Sequence, residues 1–230
     1  LNLGVRWDYE THMMNYDYVT PQAVVDSITR YADRLFIPVD PDRYFTDGGD
    51  REPFLGAIQP RLGFSLALDG EGVMSLFGGW GIFYDRTLFD HAIEESFALQ
   101  HPSYTLFFAP PGNTDPNLVT WNEIYLSDRQ ALLALLQDRR FNTPEVKLLP
   151  NDLRPPRAQH FSLGLRRAFG DWEVSAAYAG VRSENIMTFY WANEDFTCPE
   201  RSFAVPNCFQ HRTIPGWGNI LLADDAGKTW

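Results

Sequence analysis

The sequence predicts an all-β chain of about five or six antiparallel strands in up-and-down order, with long loops that contain short helices. Three observations carry that expectation. Apolar and polar residues alternate over several short stretches, the period of two that belongs to strands with unlike faces. The stretches are joined alternately by tight-turn residues and by insertions several dozen residues long. No apolar run is long enough to cross a membrane as a helix, which leaves membrane-crossing strands open, since each strand gives a much weaker signal.

The elements follow in order. Over residues 1–10, Leu1, Leu3, Val5, Trp7 and Tyr9 alternate with Asn2, Gly4, Arg6, Asp8 and Glu10. The apolar face ends in two aromatics, as a strand does where hydrocarbon meets a polar interface. Residues 11–55 are polar and contain one helix, with Thr20 as its cap, Pro21 in its first turn, and Val24, Ile28, Tyr31 and Leu35 on one face. Strands are predicted at 56–69 and 73–85, with Asp69-Gly70-Glu71-Gly72 turning between them. Residues 86–156 form a second insertion, where Ser127-Asp128-Arg129-Gln130 reads as a capping box before a helix at 131–136. A second hairpin, 158–169 and 172–182, turns at Gly170-Asp171. Residues 183–219 read as irregular, and Ile220-Leu221-Leu222 opens a sixth strand.

Insertions of this length are rare inside compact soluble domains. Outer-membrane barrels have the asymmetry by construction, with short turns on one side and long loops on the other. A soluble β-sandwich with two insertions is the alternative. Residue 1 already lies in a strand pattern and the chain stops at Lys228-Thr229-Trp230, so residues 1–230 read as a fragment of a larger barrel.

Several phrases resemble one family. Gln59-Pro60-Arg61-Leu62-Gly63-Phe64-Ser65 and Gly78-Gly79-Trp80-Gly81-Ile82-Phe83-Tyr84-Asp85-Arg86 look like the barrel of TonB-dependent outer-membrane receptors of the Oar-like, carboxypeptidase-regulatory-domain type. Leu153-Arg154-Pro155-Pro156, Gln159-His160-Phe161-Ser162-Leu163-Gly164-Leu165, Ala177-Tyr178-Ala179-Gly180-Val181-Arg182 and Gly218-Asn219-Ile220 fit the same pattern. Together they cover roughly a third of the chain, at the usual strand lengths. The resemblance implies a barrel of about 22 strands around a plug, and active import of an unidentified solute driven by the TonB energy-coupling complex. The plug and regulatory domains lie outside these residues, and the resemblance supplies no catalytic residue.

The charge balance points away from nucleic acid. The 19 Lys and Arg face 30 Asp and Glu, for a net charge of −11, whereas a phosphate backbone needs a basic face. Nothing points to an enzyme or a cofactor. The histidines at 12, 91, 101, 160 and 211 are scattered, and no nucleophile elbow, paired-histidine zinc motif or phosphate loop occurs. Gly78-Gly79-Trp80-Gly81 sits within a strand rather than before a helix, so it is no nucleotide fingerprint. Cys198 and Cys208 are the only cysteines, and an even count in an exported chain reads as a disulfide. Zinc is the rival because His211 is near, but four ligands are not in view. Asp40, Asp42, Asp47 and Asp50 suit either a calcium loop or a solvated acidic loop, and their spacing departs from the EF-hand. Loop aromatics at Tyr104, Phe107, Phe108, Trp121, Tyr190 and Trp191 suit either ligand stacking or packing of loops on themselves.

In a barrel, Leu3, Val5, Trp7, Leu62, Phe64, Leu66, Phe161, Leu163, Leu165, Trp172, Val174 and Tyr178 are expected to face lipid. Arg6, Asp8, Arg61, His160, Arg166 and Glu173 are expected to face the lumen, because a charge at mid-membrane depth costs several kcal/mol on the lipid side. The expected function is transport across the outer membrane. The alternatives are a surface or secreted module that binds glycan or protein through its loops, and a passive porin.

Overall fold

The computed structural model describes residues 1–11, 13–87, 89–101, 106, 108–110, 112–113, 118–137, 143–194 and 212–230. Alternation becomes strand where it was predicted: β1 (Asn2–Trp7), β2 (Ile58–Ala67) and β3 (Met74–Tyr84). The loops then contribute three short strands, β4 (Phe108–Ala109), β5 (Val119–Thr120) and β6 (Val146–Leu148). The wall resumes with β7 (Arg157–Phe169), β8 (Trp172–Trp191) and β9 (Ile220–Thr229). The main sheet is open and ordered β1-β2-β3-β7-β8-β9-β6. From β1 to β9 every neighbour is antiparallel, so the wall is an up-and-down meander.

The turns obey local chemistry. Gly170 has φ +57, so Gly170-Asp171 closes β7 and β8 without a Cβ penalty. Gly72 has φ +74 in the β2–β3 turn, which the Leu68 N–H closes onto the Met74 carbonyl at 2.8 Å. Both tight turns lie at one end of the sheet, and the three long connections leave from the other.

Several sequence expectations need correction. β8 does not stop near residue 182 but runs to Trp191, so Tyr190 and Trp191 belong to a strand rather than a loop. Asn185, at φ 56, and the register shifts on either side of Ile186 break the period of two there, which hid the continuation. At the far edge, β6 pairs in parallel with the start of β9, inside what reads as an irregular insertion. β6 covers only Ile220–Leu222, so among the described residues both edges of the main sheet stay largely unpaired, β1 on one side and the rest of β9 on the other.

Among the described residues the loops hold four α-helices: α1 (Gln22–Arg30), α2 (Pro41–Tyr44), α3 (Phe89–Gln100) and α4 (Arg129–Ala134). In α1 the cap position is Pro21, not Thr20, because the Thr20 hydroxyl accepts the Thr46 N–H at 3.0 Å instead. In α4 the cap is Asp128 rather than Ser127; its carboxylate accepts from Gln130 and Ala131. α3 lies in the Pro- and aromatic-rich insertion, outside the helix expected there at 131–136. It turns the fully buried Ala92 and Glu95 inward and sets Leu99 against the main core.

That core is built from the loops and the start of β9. Val24 and Ile28 of α1, Leu35, Val39 and Tyr44 pack against Val146, Leu148, Ala192, Ile214, Ile220 and Leu222. The long connections thus fold together into one cap at the loop end of the sheet.

Candidate functional site

Two polar assemblies stand out, one on the wall and one inside the cap. On the wall, register decides which side chains share a face, since directly paired residues point the same way. Leu3 pairs with Leu62, Leu62 with Trp80, and Trp80 with Phe161. Phe64, Gly78, Leu163 and Tyr178 form another rung, and Leu66, Leu76, Leu165 and Ala176 a third. Val5, Trp7, Trp172 and Val174 fall on the same side by alternation. The twelve apolar residues singled out from sequence therefore share one face, and most are broadly exposed: Leu3 by 74%, Leu163 by 53% and Trp172 by 78%.

The opposite face carries the charged set. Arg61, Gly81 and His160 form one rung, and Ser75, Arg166 and Ser175 another. Arg6 pairs with Gln59, while Glu173 pairs with Ala168. Asp8 sits just past the end of β1.

These six candidates form two groups. Toward the loop end, Asp8 accepts from Arg6 Nε at 2.6 Å and from Gln59 Nε2 at 2.6 Å. Arg61 Nη2 donates to Gln59 Oε1 at 3.3 Å. The Arg61 guanidinium lies 4.5 Å over the Phe83 ring, and that ring meets His160 at 4.7 Å. Gly81 makes room, because a Cβ there would meet Phe83 at 3.1 Å and Arg61 at 3.3 Å. Toward the turn end, Arg166 pairs with Glu173 at 3.3 Å and lies 5.6 Å over Phe77. Gln59, Phe77 and Phe83 were not singled out from sequence. The signal was present for the two aromatics: alternation that puts Trp80 and Ile82 on one face of β3 puts Phe77 and Phe83 on the other.

Inside the cap, Arg51 and Glu95 are paired with both side chains fully buried. Arg51 Nη1 and Nη2 each donate to a Glu95 oxygen at 2.6 Å. Glu95 Oε1 also accepts the Leu149 N–H at 3.0 Å, and Oε2 accepts from Asn15 at 3.2 Å. The remaining Arg51 donors reach Asn151 Oδ1 at 3.1 Å and the carbonyls of Asn15 and Leu149 at 3.2 and 3.1 Å. A buried ion pair repays its desolvation only when lone pairs and protons are satisfied in this way. Burial, and then the Glu95 charge, push the neighbouring Tyr18 phenol up to about 12.

A second knot ties the cap to the wall. Arg43 donates to Asp152 at 3.1 Å, Asp224 at 3.1 Å and Asp225 at 2.9 Å. Burial opposes its charge, but the hydrogen bonds to Asp224 and Asp152 outweigh burial and raise its pKa. Tyr44 Oη donates to the Ala223 carbonyl at 2.9 Å, and burial pushes that phenol up to about 12. In the third connection, Asn193 accepts from the Ile214 N–H at 2.6 Å, and Trp217 donates to Ser27 of the first at 2.9 Å.

The acidic run spends its carboxylates on turns: Asp40 accepts from Asp42 N–H, Asp47 from Gly49 N–H and Asp50 from Asp47 N–H. Among the described residues no cluster of His, Cys, Asp and Glu is arranged to hold a metal. Phe108 and Trp121 meet edge to face at 5.0 Å and both touch Tyr125, so these aromatics pack on their own loop. Cys198, Cys208, His211, Tyr104 and Phe107 lie outside the described residues.

A family model described as an outer membrane beta barrel domain matches residues 1–230. No curated protein and no solved structure matches the chain.

Proposed function

The chain belongs to the outer membrane beta barrel domain family, and from that premise we propose that its meander is part of the wall of a TonB-dependent transporter. The cell outer membrane and its lipid are the chain's surroundings. On this reading the face of Leu3, Leu163 and Trp172 meets lipid, and the face of Arg6, Asp8, Arg61, His160, Arg166 and Glu173 lines the lumen. The lumen side touches a plug contributed by the same polypeptide, and the TonB complex supplies the energy. The chain carries no catalytic step.

The observation that carries the reading is the cap. Three long connections share one core and a buried, saturated ion pair. Ordering that much loop costs about 1–2 kcal/mol of backbone entropy per residue, a cost that suits a mouth which must hold a fixed binding surface for a scarce solute. A passive porin fits the same wall, and the arginines on its polar face, Arg6, Arg61 and Arg166, favour that second reading, since such residues tune the selectivity of open channels.

Planar-bilayer recording separates the two without knowledge of the solute. The full-length protein is expected to show no steady ion conductance until a denaturant loosens the plug. Stable open-channel conductance from untreated protein would overturn the active-transport reading in favour of the porin.

A further inference from the structure

Arg157, Arg182 and Lys228 stand at the loop end of the wall's apolar face, where charge is costly; a fourth cation of that face, Arg167, pairs with Val174 near the turn end. Arg157 and Arg182 lie on that face by register, through the pairs Tyr84–Arg157, Arg157–Glu184 and Gln159–Arg182. Thr229 pairs with Ser183 of the opposite face, so alternation sets Lys228 and Trp230 beside them. The Arg182 guanidinium lies 4.1 Å over the Trp230 ring. Glu184 bridges the two arginines, accepting from Arg157 Nη1 at 3.2 Å and from Arg182 Nη2 at 3.2 Å. One carboxylate thus answers three cations. The Arg182 side chain stays 45% exposed, and Lys228 and Trp230 are exposed.

Their height along the wall is informative. On β8 the same-face positions from the turn upward are Trp172, Val174, Ala176, Tyr178 and Gly180, and Arg182 is the first charge after them. Ten steps of about 3.3 Å on a strand tilted by about 40° climb about 25 Å, the height of the lipid-facing band of a barrel. Trp172 then enters the hydrocarbon at one interface as Arg182 leaves it at the other. A basic cluster at that level meets lipid headgroups, and a guanidinium stacked on indole presents its remaining donors outward in a planar fork suited to phosphate.

We propose that this rim binds the phosphate of an anionic lipid headgroup, seated among Arg157, Arg182 and Lys228 beside Trp230. The proposal rests on the assignment of the apolar face to lipid. Its occupant follows from charge complementarity on an otherwise acidic chain and from continuity with the apolar band below.

The test uses delipidated full-length protein in detergent. It is titrated with short-chain phosphatidylglycerol or phosphatidylcholine, and bound lipid is counted by native mass spectrometry. Phosphatidylglycerol is expected to bind more tightly. Arg182→Gln should weaken it about five-fold, the factor for one basic side chain at a lipid surface, and leave phosphatidylcholine unchanged. Arg182→Lys should lose less. Arg86→Gln, at a loop cation 87% exposed, should change neither, and unboiled gel mobility checks that each variant is folded. Equal binding of the two lipids overturns the proposal. So does an equal loss in Arg86→Gln, or displacement of the lipid by an equal concentration of inorganic phosphate. A label at Leu163→Cys isolates the underlying premise. No quenching by lipids brominated along their chains means the face was misassigned, whereas quenching without a headgroup preference sinks the rim proposal alone.

Discussion

The wall and the cap invert the usual distribution of side chains. The wall looks apolar in sequence, yet Leu3, Val5, Leu163 and Trp172 stand in the open. The cap looks polar, yet it holds Val24, Ile28, Leu148 and Ile220 almost wholly buried, together with the ion pair of Arg51 and Glu95. A water-soluble sandwich would bury the strand face first, because apolar burial is its main driving force. Here the loops and the start of β9 form a small globular unit that excludes water, while strands β1, β2, β3, β7 and β8 leave an apolar face exposed. On the proposed reading the membrane supplies the missing half of the wall's core; the cap needs no such help.

The largest expected effect comes from attacking the cap at its centre. Glu95→Ala strips Arg51 of its partner and leaves the Leu149 N–H unsatisfied. Removing one member of a buried pair costs about 3–5 kcal/mol. We expect protease sensitivity and fast amide exchange throughout the cap, with the wall still migrating as a folded barrel on unboiled gels. If the wall unfolds in step with the cap, the two are one cooperative unit and the comparison fails.

The next effect probes the wall. Leu163→Arg puts a charge in the middle of the apolar face and is expected to cost about 2–4 kcal/mol in a bilayer. Ser162→Arg, one residue away, points to the opposite face and should cost little. Urea unfolding in liposomes reads both. Equal costs would mean that the faces do not have different solvents, and the reverse order would invert the whole register assignment.

How much of this was legible follows from the range of the signals. The wall announces itself locally: alternation at Leu3, Val5 and Trp7 or at Phe161, Leu163 and Leu165 needs no partner to be read. Where alternation failed, at Asn185, the strand became invisible, although β8 continues to Trp191. The cap is a set of long-range meetings. The spacing of Val24 and Ile28 predicted α1 and its buried side, but nothing near Arg51 or Glu95 tells that they meet, since an isolated Arg or Glu in a polar loop reads as solvated. Asp128 displaced Ser127 as a cap because both residues are competent and only backbone geometry chooses between them. Apart from Asp8, just past the end of β1, the lumen candidates lie on regular strands, so their shared face could be anticipated. Their subdivision into an Arg61–Phe83–His160 group and an Arg166–Glu173 group depended on neighbours across the sheet.

A smaller effect asks how tightly the wall itself is built. Three Phe–Gly pairs sit directly opposite across strands: Phe64 with Gly78, Phe77 with Gly164 and Phe161 with Gly180. Each ring covers backbone that a side chain would otherwise occupy. A Cβ on Gly78 would meet the Ser162 carbonyl oxygen at 2.5 Å, which only a shift of β7 can relieve. A Cβ on Gly180 would first meet the Phe161 ring, at 2.4 Å, and that ring is exposed enough to swing away. We expect Gly78→Ala to cost about 1–3 kcal/mol, the range for overpacking, and Gly180→Ala to cost less in the same urea titration. The opposite order would mean that aromatic cover, not backbone approach, sets the spacing of the strands.

The smallest expected effect sharpens the contrast most, because the same chemistry occurs in both regions. Arg166 and Glu173 pair at 3.3 Å on the polar face of the wall, with side chains 52% and 59% exposed. Arg51 and Glu95 pair at 2.6 Å with none exposed. Water and salt screen the first pair, and its two long side chains lose rotamer freedom to hold one geometry, so a double-mutant cycle with Arg166→Gln and Glu173→Gln should yield a coupling below about 1 kcal/mol. That coupling should shrink further as salt is raised. The matching cycle on Arg51 and Glu95 should give several-fold more and hardly respond to salt, since no ion reaches a fully buried pair. A wall coupling as strong and as salt-resistant as that of the cap would show that another part of the molecule covers Arg166 and Glu173 in the assembled barrel. The polar face would then be an internal packing surface, not a water-filled passage.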